Sequence, residues 1–171
     1  MFRALGEALG ATLGARSRRE TAHGRYYRHV IRAVEESDVE AWRELWAGYL
    51  HFYRAAVPDE VTLATLRRLV AGNDGMVGLV AEDSVRLVAL ANLVFHPSTW
   101  STTVYCYLED MFVAPTARGP SVALDLIRAV FAEADQKDAT RTYWHTQAFN
   151  GPARSLYDQV AHPTSLVVYQ R

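Results

Sequence analysis

The chain has 171 residues, half of them hydrophobic, which suits a single domain with a sizeable core. Its formal net charge of −1 argues against nucleic acid as the main partner, because nucleic-acid-binding domains normally carry a basic face. The single cysteine, Cys106, cannot form an internal disulfide, and we find no signal peptide, transmembrane run or zinc-type ligand spacing. We therefore expect a cytoplasmic protein that binds neither a membrane nor a metal.

Residues 1–28 differ in composition from the rest of the chain. Ala, Gly and Leu dominate the first part, and a basic stretch follows that contains Arg16, Arg18, Arg19, Arg25 and Arg28. An amphipathic, arginine-rich start is typical of a mitochondrial transit peptide, but Glu7 interrupts it and serine is scarce. We interpret this segment as a basic N-terminal extension, which is flexible or loosely docked, with mitochondrial targeting as the less favoured alternative.

The next part of the chain predicts one strand and two helices. A short alternating run at 29–34 indicates the strand, and Ser37 with Glu40 three residues later forms the capping-box pattern of a helix start. Pro58 ends this helix, and residues 61–70 predict a second one. The first helix carries an apolar stripe made of Trp42, Leu45, Trp46, Tyr49, Leu50 and Tyr53. This stripe is typical of a core face.

Two apolar runs then predict an antiparallel hairpin. They occupy residues 76–81 and 86–95 and follow a Gly-Asn-Asp-Gly turn. The connection after the hairpin, residues 96–101, holds His96 close to Trp100. Imidazole titrates near neutrality, so one interpretation of His96 is a catalytic role. The simpler interpretation is that His96 only packs within this loop.

Residues 104–113 predict a strand in which Glu109 and Asp110 stand side by side in an apolar run. Side chains alternate faces along a strand, so we expect the two carboxylates to point to opposite sides of the sheet. At least one of them then meets something other than bulk water. A desolvated carboxyl group suits a general base. The alternative is that one carboxylate caps a neighbouring loop and the other is solvated.

The loop after this strand opens a helix and predicts an anion site. Unpaired N–H groups and the positive end of the helix dipole meet at such a start. Arg118 can pair with phosphate, and Gly119 allows a close approach of the backbone. Pro120 lacks an N–H but is tolerated at the first helical position, and Ser121 offers a hydroxyl group.

The last third of the chain predicts a strand at 140–146, a helix led by Asn150 and a closing strand at 165–170. Tyr157 lies seven residues after Asn150, so the two side chains project from nearly the same helix face. Strands and helices in this order indicate a mixed α/β sheet.

Two segments resemble a known family. The run Tyr-Leu-Glu-Asp-Met-Phe-Val at 107–113 with the following Arg-Gly, and the segment Asn-Gly-Pro-Ala-Arg-Ser-Leu-Tyr at 150–157, are similar to the core motifs of the GNAT N-acetyltransferases. The likeness is closest to the diamine (spermidine/spermine) branch and the yeast-type histone and protein acetyltransferases, and it spans about residues 30–171. It implies a central, mostly antiparallel twisted sheet of six to seven strands, splayed in the middle and flanked by about four helices.

The resemblance also implies roles for individual residues. Glu109 is expected to be the general base and Tyr157 the general acid, with Asp110, Tyr49 and Tyr53 at the acceptor. The acetyl-CoA ligands are expected to be Met111, Phe112, Val113, Arg118, Gly119, Pro120, Ser121, Val122, Ala123, Asn150 and Ser155. The phosphate loop departs from the family pattern, because Ser121 replaces the central glycine and Pro120 removes one backbone donor.

The expected function is transfer of an acetyl group from acetyl-CoA to a primary amine by direct attack in a ternary complex. The acceptor is a small molecule or a protein, and it is polyamine-, lysine- or amino-acid-like. The alternative is a non-catalytic module that binds an acyl-CoA or serves as a regulator. We expect residues 29–171 to form the acetyltransferase domain, and we expect a homodimer in which the closing strand packs against another subunit.

Overall fold

A computed structural model describes residues 29–84, 86–117 and 120–171, so the basic segment 1–28 and the Arg118-Gly119 pair lie outside the described residues. The helices and strands are β1 (Val30–Ala33), α1 (Val39–Tyr53), α2 (Asp59–Ala71), β2 (Met76–Glu82), β3 (Leu87–Pro97), β4 (Val104–Val113), α3 (Pro120–Gln136), β5 (Arg141–Trp144) and α4 (Gly151–Tyr157). The two early helices, the hairpin, the central strand and both later helices are therefore confirmed.

The strands form one sheet in the order β1-β2-β3-β4-β5. The first four are antiparallel to their neighbours, and β5 pairs in parallel with β4. This confirms the mixed, mostly antiparallel sheet with four α-helices. The described residues contain five strands, one or two fewer than expected.

The predicted closing strand at 165–170 is wrong, because this segment carries no strand pairing. Its apolar side chains are exposed, and Tyr169 reaches 92% exposure. β-Branched and aromatic residues give the segment a high strand propensity, but propensity alone does not make a strand without a partner to supply hydrogen bonds and packing.

Two apolar cores sandwich the sheet, because alternate residues of β3 face opposite sides. On one side, Leu93 packs in a buried cluster with Leu108 of β4 and Leu126 of α3. On the other side, Leu90 packs with Trp42 of α1 and Leu66 of α2. Burial of both faces explains why β3 reads as a nearly continuous apolar run.

The first long helix begins at Val39 and not at the predicted Ser37 cap. A short 3-10 turn, Glu36–Asp38, comes first. The Asp38 carboxylate accepts hydrogen bonds from the Arg32 guanidinium at 2.6 and 2.9 Å and from the Glu35 N–H at 2.8 Å. Asp38 therefore links the start of α1 to β1, and it takes the role at the helix start that the sequence pattern predicted for Ser37.

Candidate active site

The centre of the site is a bulge in β4. Asn92 of β3 pairs with Asp110 and Leu93 pairs with Leu108, so Glu109 is one extra residue with no opposite partner. Leu108 and Met111, three residues apart, consequently both face the α3 side of the sheet. The prediction that Glu109 and Asp110 point to opposite faces of the sheet is therefore wrong. It assumed strict alternation along β4, and the bulge at Glu109 interrupts that alternation by one residue.

The bulge brings two carboxyl groups with raised pKa values together. Partial burial raises the pKa of Glu109, the charge of Asp110 raises it further, and Arg68 acts in the opposite direction. Burial also raises the pKa of Asp110, although hydrogen bonds from Tyr49 and Asn92 oppose that shift. The Asn92 amide donates to the Asp110 carboxylate at 3.0 Å. Raised carboxyl pKa values in a concave site are typical of general bases.

A gap opens beside β4 just after the bulge. β5 pairs with β4 only from Tyr105 to Leu108, whereas β3 pairs with β4 as far as Val113. Backbone groups of 109–113 that point towards the β5 side therefore lack strand partners there. Such an edge suits an extended, amide-containing ligand, which can add its own hydrogen bonds to the strand.

A cleft of about 460 Å³ lies along this open edge. Nine of the residues predicted for the site line it, from four different elements: Tyr49, Tyr53, Met111, Phe112, Val113, Ala123, Asn150, Ser155 and Tyr157. Glu109 and Asp110 do not line the cleft itself but occupy the β4 positions immediately before Met111. The pantetheine arm of a CoA ester fits this shape, because the cleft is largely apolar and one wall is an unpaired strand edge.

Tyr157 faces the cleft from the last turn of α4. Its ring packs edge-on against Trp144, with the ring centroids 5.2 Å apart. Burial and the neighbouring Tyr53 raise the pKa of the phenol to about 12. Tyr157 therefore keeps its proton at neutral pH, as a general acid must.

The phosphate loop is described only in part, since Arg118 and Gly119 lie outside the described residues. Pro120 begins α3, which confirms that proline is tolerated at this helix start. Ser121 is exposed. The Val122 side chain is 7% exposed and packs in the core, so only its backbone remains available to a ligand.

Asn150 occupies the position before α4, but its side chain does not cap the helix. The amide instead donates a hydrogen bond to Thr146 Oγ1 at 3.2 Å, so Asn150 leads the helix as predicted but its side chain bonds to the preceding loop and not to the helix start. This bond fixes the loop between β5 and α4, and Asn150 still lines the cleft.

A comparison of the sequence with known families identifies the chain. The sequence model of the Acetyltransferase (GNAT) family matches residues 32–161. The chain belongs to the GNAT family. It is thus an acetyl-CoA-dependent acyltransferase, and the site described above lies within the matched residues.

Individual GNAT proteins are similar over most of their length. D-amino-acid N-acetyltransferase HPA3 of Saccharomyces cerevisiae is 32% identical over 146 residues, which cover 84% of this chain and 91% of the yeast protein. The uncharacterized N-acetyltransferase YhfO of Bacillus subtilis is 30% identical over 129 residues, covering 75% and 86% of the two chains. Among solved structures, AAC(6')-Iy in complex with a CoA-containing bisubstrate analogue shares the fold, with a TM-score of 0.73, 21% identity and coverage of 84% and 97%.

One polar residue near the GNAT site, Asn92 of β3, was not predicted from the sequence. Asn92 is 1% exposed, and a single asparagine inside the apolar run of β3 is the sequence signal by which it could have been found. His96 is the last residue but one of β3 and not a loop residue, and its Nε2 hydrogen bonds to the Tyr143 hydroxyl at 3.0 Å. Phe52 of α1 also lines the cleft.

Within residues 29–84, 86–117 and 120–171, no group of three or more His, Cys, Asp or Glu side chains is arranged to hold a metal ion. In the same part of the chain, no helix has the length and apolar character needed to cross a membrane.

Proposed function

We propose that this GNAT protein transfers an acetyl group from acetyl-CoA to a primary amine by direct attack in a ternary complex. The observation that carries the proposal is the convergence at one cleft of the unpaired β4 edge, the Tyr157 phenol and, just before that edge, the raised-pKa carboxyls of Glu109 and Asp110. A strand edge for the donor, a base and an acid are the groups that this reaction needs.

The cofactor side of the site uses backbone more than side chains. Met111, Phe112 and Val113 would hold the pantetheine arm along the open edge of β4, with Asn150 and Ser155 on the opposite wall. The pyrophosphate would lie at the start of α3, on Arg118 to Ala123. Ser121 has a side chain where the family has glycine, so it offers a hydroxyl group to the phosphate but keeps the backbone further away. Pro120 removes one backbone N–H from this loop.

Bound acetyl-CoA supplies the acetyl group as a thioester. Glu109, directly or through one water, removes a proton from the ammonium form of the acceptor, whose nitrogen then forms a bond to the acetyl carbon as the carbon–sulfur bond breaks. The Val113 amide polarises the thioester carbonyl, as a single oxyanion donor. Tyr157 donates its phenol proton to the leaving sulfur, and the second proton lost by the acetylated nitrogen returns through solvent to the Tyr157 oxygen. The products are an N-acetyl amine and CoA, and the proton taken up by Glu109 is released to solvent.

The acceptor side of the site carries negative charge and phenol groups. Asp110, Tyr49 and Tyr53 line the approach to Glu109, and a carboxylate pair attracts a cationic amine. Within the class of polyamine-, lysine- and amino-acid-like acceptors, the yeast relative named as a D-amino-acid N-acetyltransferase favours a small amino-acid-like molecule.

The proposal extends to the state of the protein. Residues 29–171 would form the acetyltransferase domain, which follows a basic extension at 1–28. The exposed apolar tail at 165–170 supports a homodimer, because a run of this kind normally finds a partner strand. The buried free thiol of Cys106 is compatible with the reducing cytoplasm, and the near-neutral charge gives no support for nucleic acid as a partner.

The first test is a calorimetric titration with acetyl-CoA and with S-acetylpantetheine, which keeps the thioester and the pantetheine arm but lacks the pyrophosphate. We expect micromolar binding of acetyl-CoA and weaker binding of the analogue, and then CoA release that depends on an added primary amine. Binding without transfer to any amine in a broad panel would favour the non-catalytic alternative. No binding at millimolar acetyl-CoA would show that the altered phosphate loop no longer functions.

A further inference from the structure

A second group of aromatic and imidazole side chains lies outside the cleft, on the sheet face opposite α3. We define the tyrosine–histidine row as Tyr107 of β4, His96 of β3, Tyr143 of β5 and His145, the residue directly after β5. Tyr107 and Tyr143 stack with their ring centroids 5.0 Å apart and their planes 21° apart. Trp144, the next residue along β5, faces the other side and packs with Phe131 and Tyr157.

The row is held rigid by two histidines. Tyr143 leans across β4, because its hydroxyl bonds to His96 Nε2 on β3, two strands away, at 3.0 Å. The Tyr107 hydroxyl bonds to His145 Nδ1 at 3.2 Å. Rings fixed in this way lose little conformational entropy when a ligand packs on them. Tyr107 and Tyr143 are both half-buried, so part of each ring remains accessible to a ligand.

The row starts beside the reactive carboxylates. Tyr107 lies two residues before Glu109, about 7 Å along a strand. Burial, followed by the charges of Glu109 and Asp110, raises the pKa of the Tyr107 phenol, so both carboxylates lie within electrostatic reach of this ring. Burial and the charge of Glu109 also raise the pKa of the Tyr143 phenol, so a substituent that extends from a nitrogen at Glu109 towards β5 would contact Tyr107 and Tyr143.

The charge at the far end of the row limits the acceptor further. Arg141 pairs with Tyr105 in the β4–β5 register, and its guanidinium lies 4.7 Å from the centre of the Tyr105 ring. A long polyamine that extends from Glu109 along the row would thus bring its second ammonium group towards a cation. A molecule with one amine and a flat apolar substituent meets no such repulsion.

We propose that the acceptor is a primary monoamine with an aromatic substituent, whose ring packs on Tyr107 and Tyr143 while its nitrogen lies at Glu109. This inference rests on the proposed transferase function and, among primary amines, favours an aromatic monoamine over a polyamine. An aromatic contact of this kind contributes up to about tenfold in kcat/KM.

The experiment compares phenylethylamine, butylamine and spermidine as acceptors at saturating acetyl-CoA. Wild-type protein is expected to prefer phenylethylamine to butylamine by about tenfold in kcat/KM. Tyr143→Leu should remove this preference, and Tyr143→Phe should keep most of it because the ring remains. Acetyl-CoA affinity should stay unchanged in both variants. Trp100→Ala removes an aromatic ring that is 84% exposed in the β3–β4 connection and serves as the matched control.

A charge reversal gives a second, independent readout. Arg141→Glu is an exposed change on the strand surface, and it should raise kcat/KM for spermidine several-fold while leaving that for butylamine unchanged. Equal rates with phenylethylamine and butylamine, or a preference that survives in Tyr143→Leu, would overturn the inference while leaving the transferase function intact. Failure to acetylate any amine despite acetyl-CoA binding would overturn both.

Discussion

Replacement of Glu109 by glutamine tests the central chemical role in the site. Glutamine keeps the size of the side chain and its ability to hydrogen bond but cannot accept a proton near neutral pH. A positioned general base contributes about 10²–10⁴-fold to the rate. Glu109 is exposed at the bulge, so water takes over some of its role and we expect the lower end of this range, about 100-fold. This corresponds to about 2.7 kcal/mol of activation free energy.

The assay follows CoA release at saturating acetyl-CoA and measures kcat/KM for the amine over a range of pH. Because burial and the charge of Asp110 raise the pKa of Glu109, wild-type kcat/KM should rise as the carboxyl group deprotonates, with a midpoint above the ordinary value for glutamate. The Glu109→Gln variant should lack this limb. Its acetyl-CoA affinity and melting temperature should match those of the wild type, since exposed substitutions change stability by only about 0.5 kcal/mol.

Glu60→Gln is the matched control, because Glu60 is an exposed glutamate in the first turn of α2. It should behave as wild type in all three measurements. A loss of less than fivefold in Glu109→Gln, or an acid limb that persists in the variant, would refute the general-base role. An equal loss of cofactor binding would mean that Glu109 is structural.

Three further changes test other parts of the site. Tyr157→Phe should slow the chemical step in single-turnover experiments by up to about 10²-fold, and an unchanged rate would remove Tyr157 from the general-acid role. Asp110→Asn should raise the melting temperature at pH 7 and leave it unchanged in acid. The folded protein favours the protonated form of Asp110, so the stability that this carboxyl group contributes below the ordinary aspartate pKa is lost as pH rises through its raised pKa. A lower melting temperature of the variant at pH 7 would contradict this. Gly48→Ala places a methyl group 2.8 Å from the Phe112 ring in the cleft. It should lower the free energy of unfolding, measured with denaturant, by about 1–3 kcal/mol and weaken acetyl-CoA binding. Unchanged values of both would show that the ring can move freely.

Local patterns were enough to predict most of the fold. The apolar runs of β2 and β3 and the helical spacing of α1 are signals that each segment carries by itself. Pro120 likewise marks the start of α3 because its missing N–H is harmless only there. The motifs at 107–113 and 150–157 indicated the family, and the family match confirmed it.

Features that depend on distant partners were not predicted. The bulge at Glu109 exists only relative to the register with Asn92 of β3, so alternation along β4 alone gave the wrong orientation. The tyrosine–histidine row is assembled by hydrogen bonds between residues 47 and 38 positions apart in the sequence. The prediction of a strand at 165–170 was wrong for the same reason, because a strand needs a neighbouring strand to pair with and the segment alone does not show whether one is present.

The most direct test of the account is amine-dependent CoA release by the full chain, with the protein and the product both analysed by mass spectrometry. Direct transfer in a ternary complex predicts one N-acetyl amine for each CoA released, little release without amine, and no acetylated protein at any time. CoA release at the same rate without amine, or accumulation of an acetylated form of the protein that then reacts with amine, would contradict it.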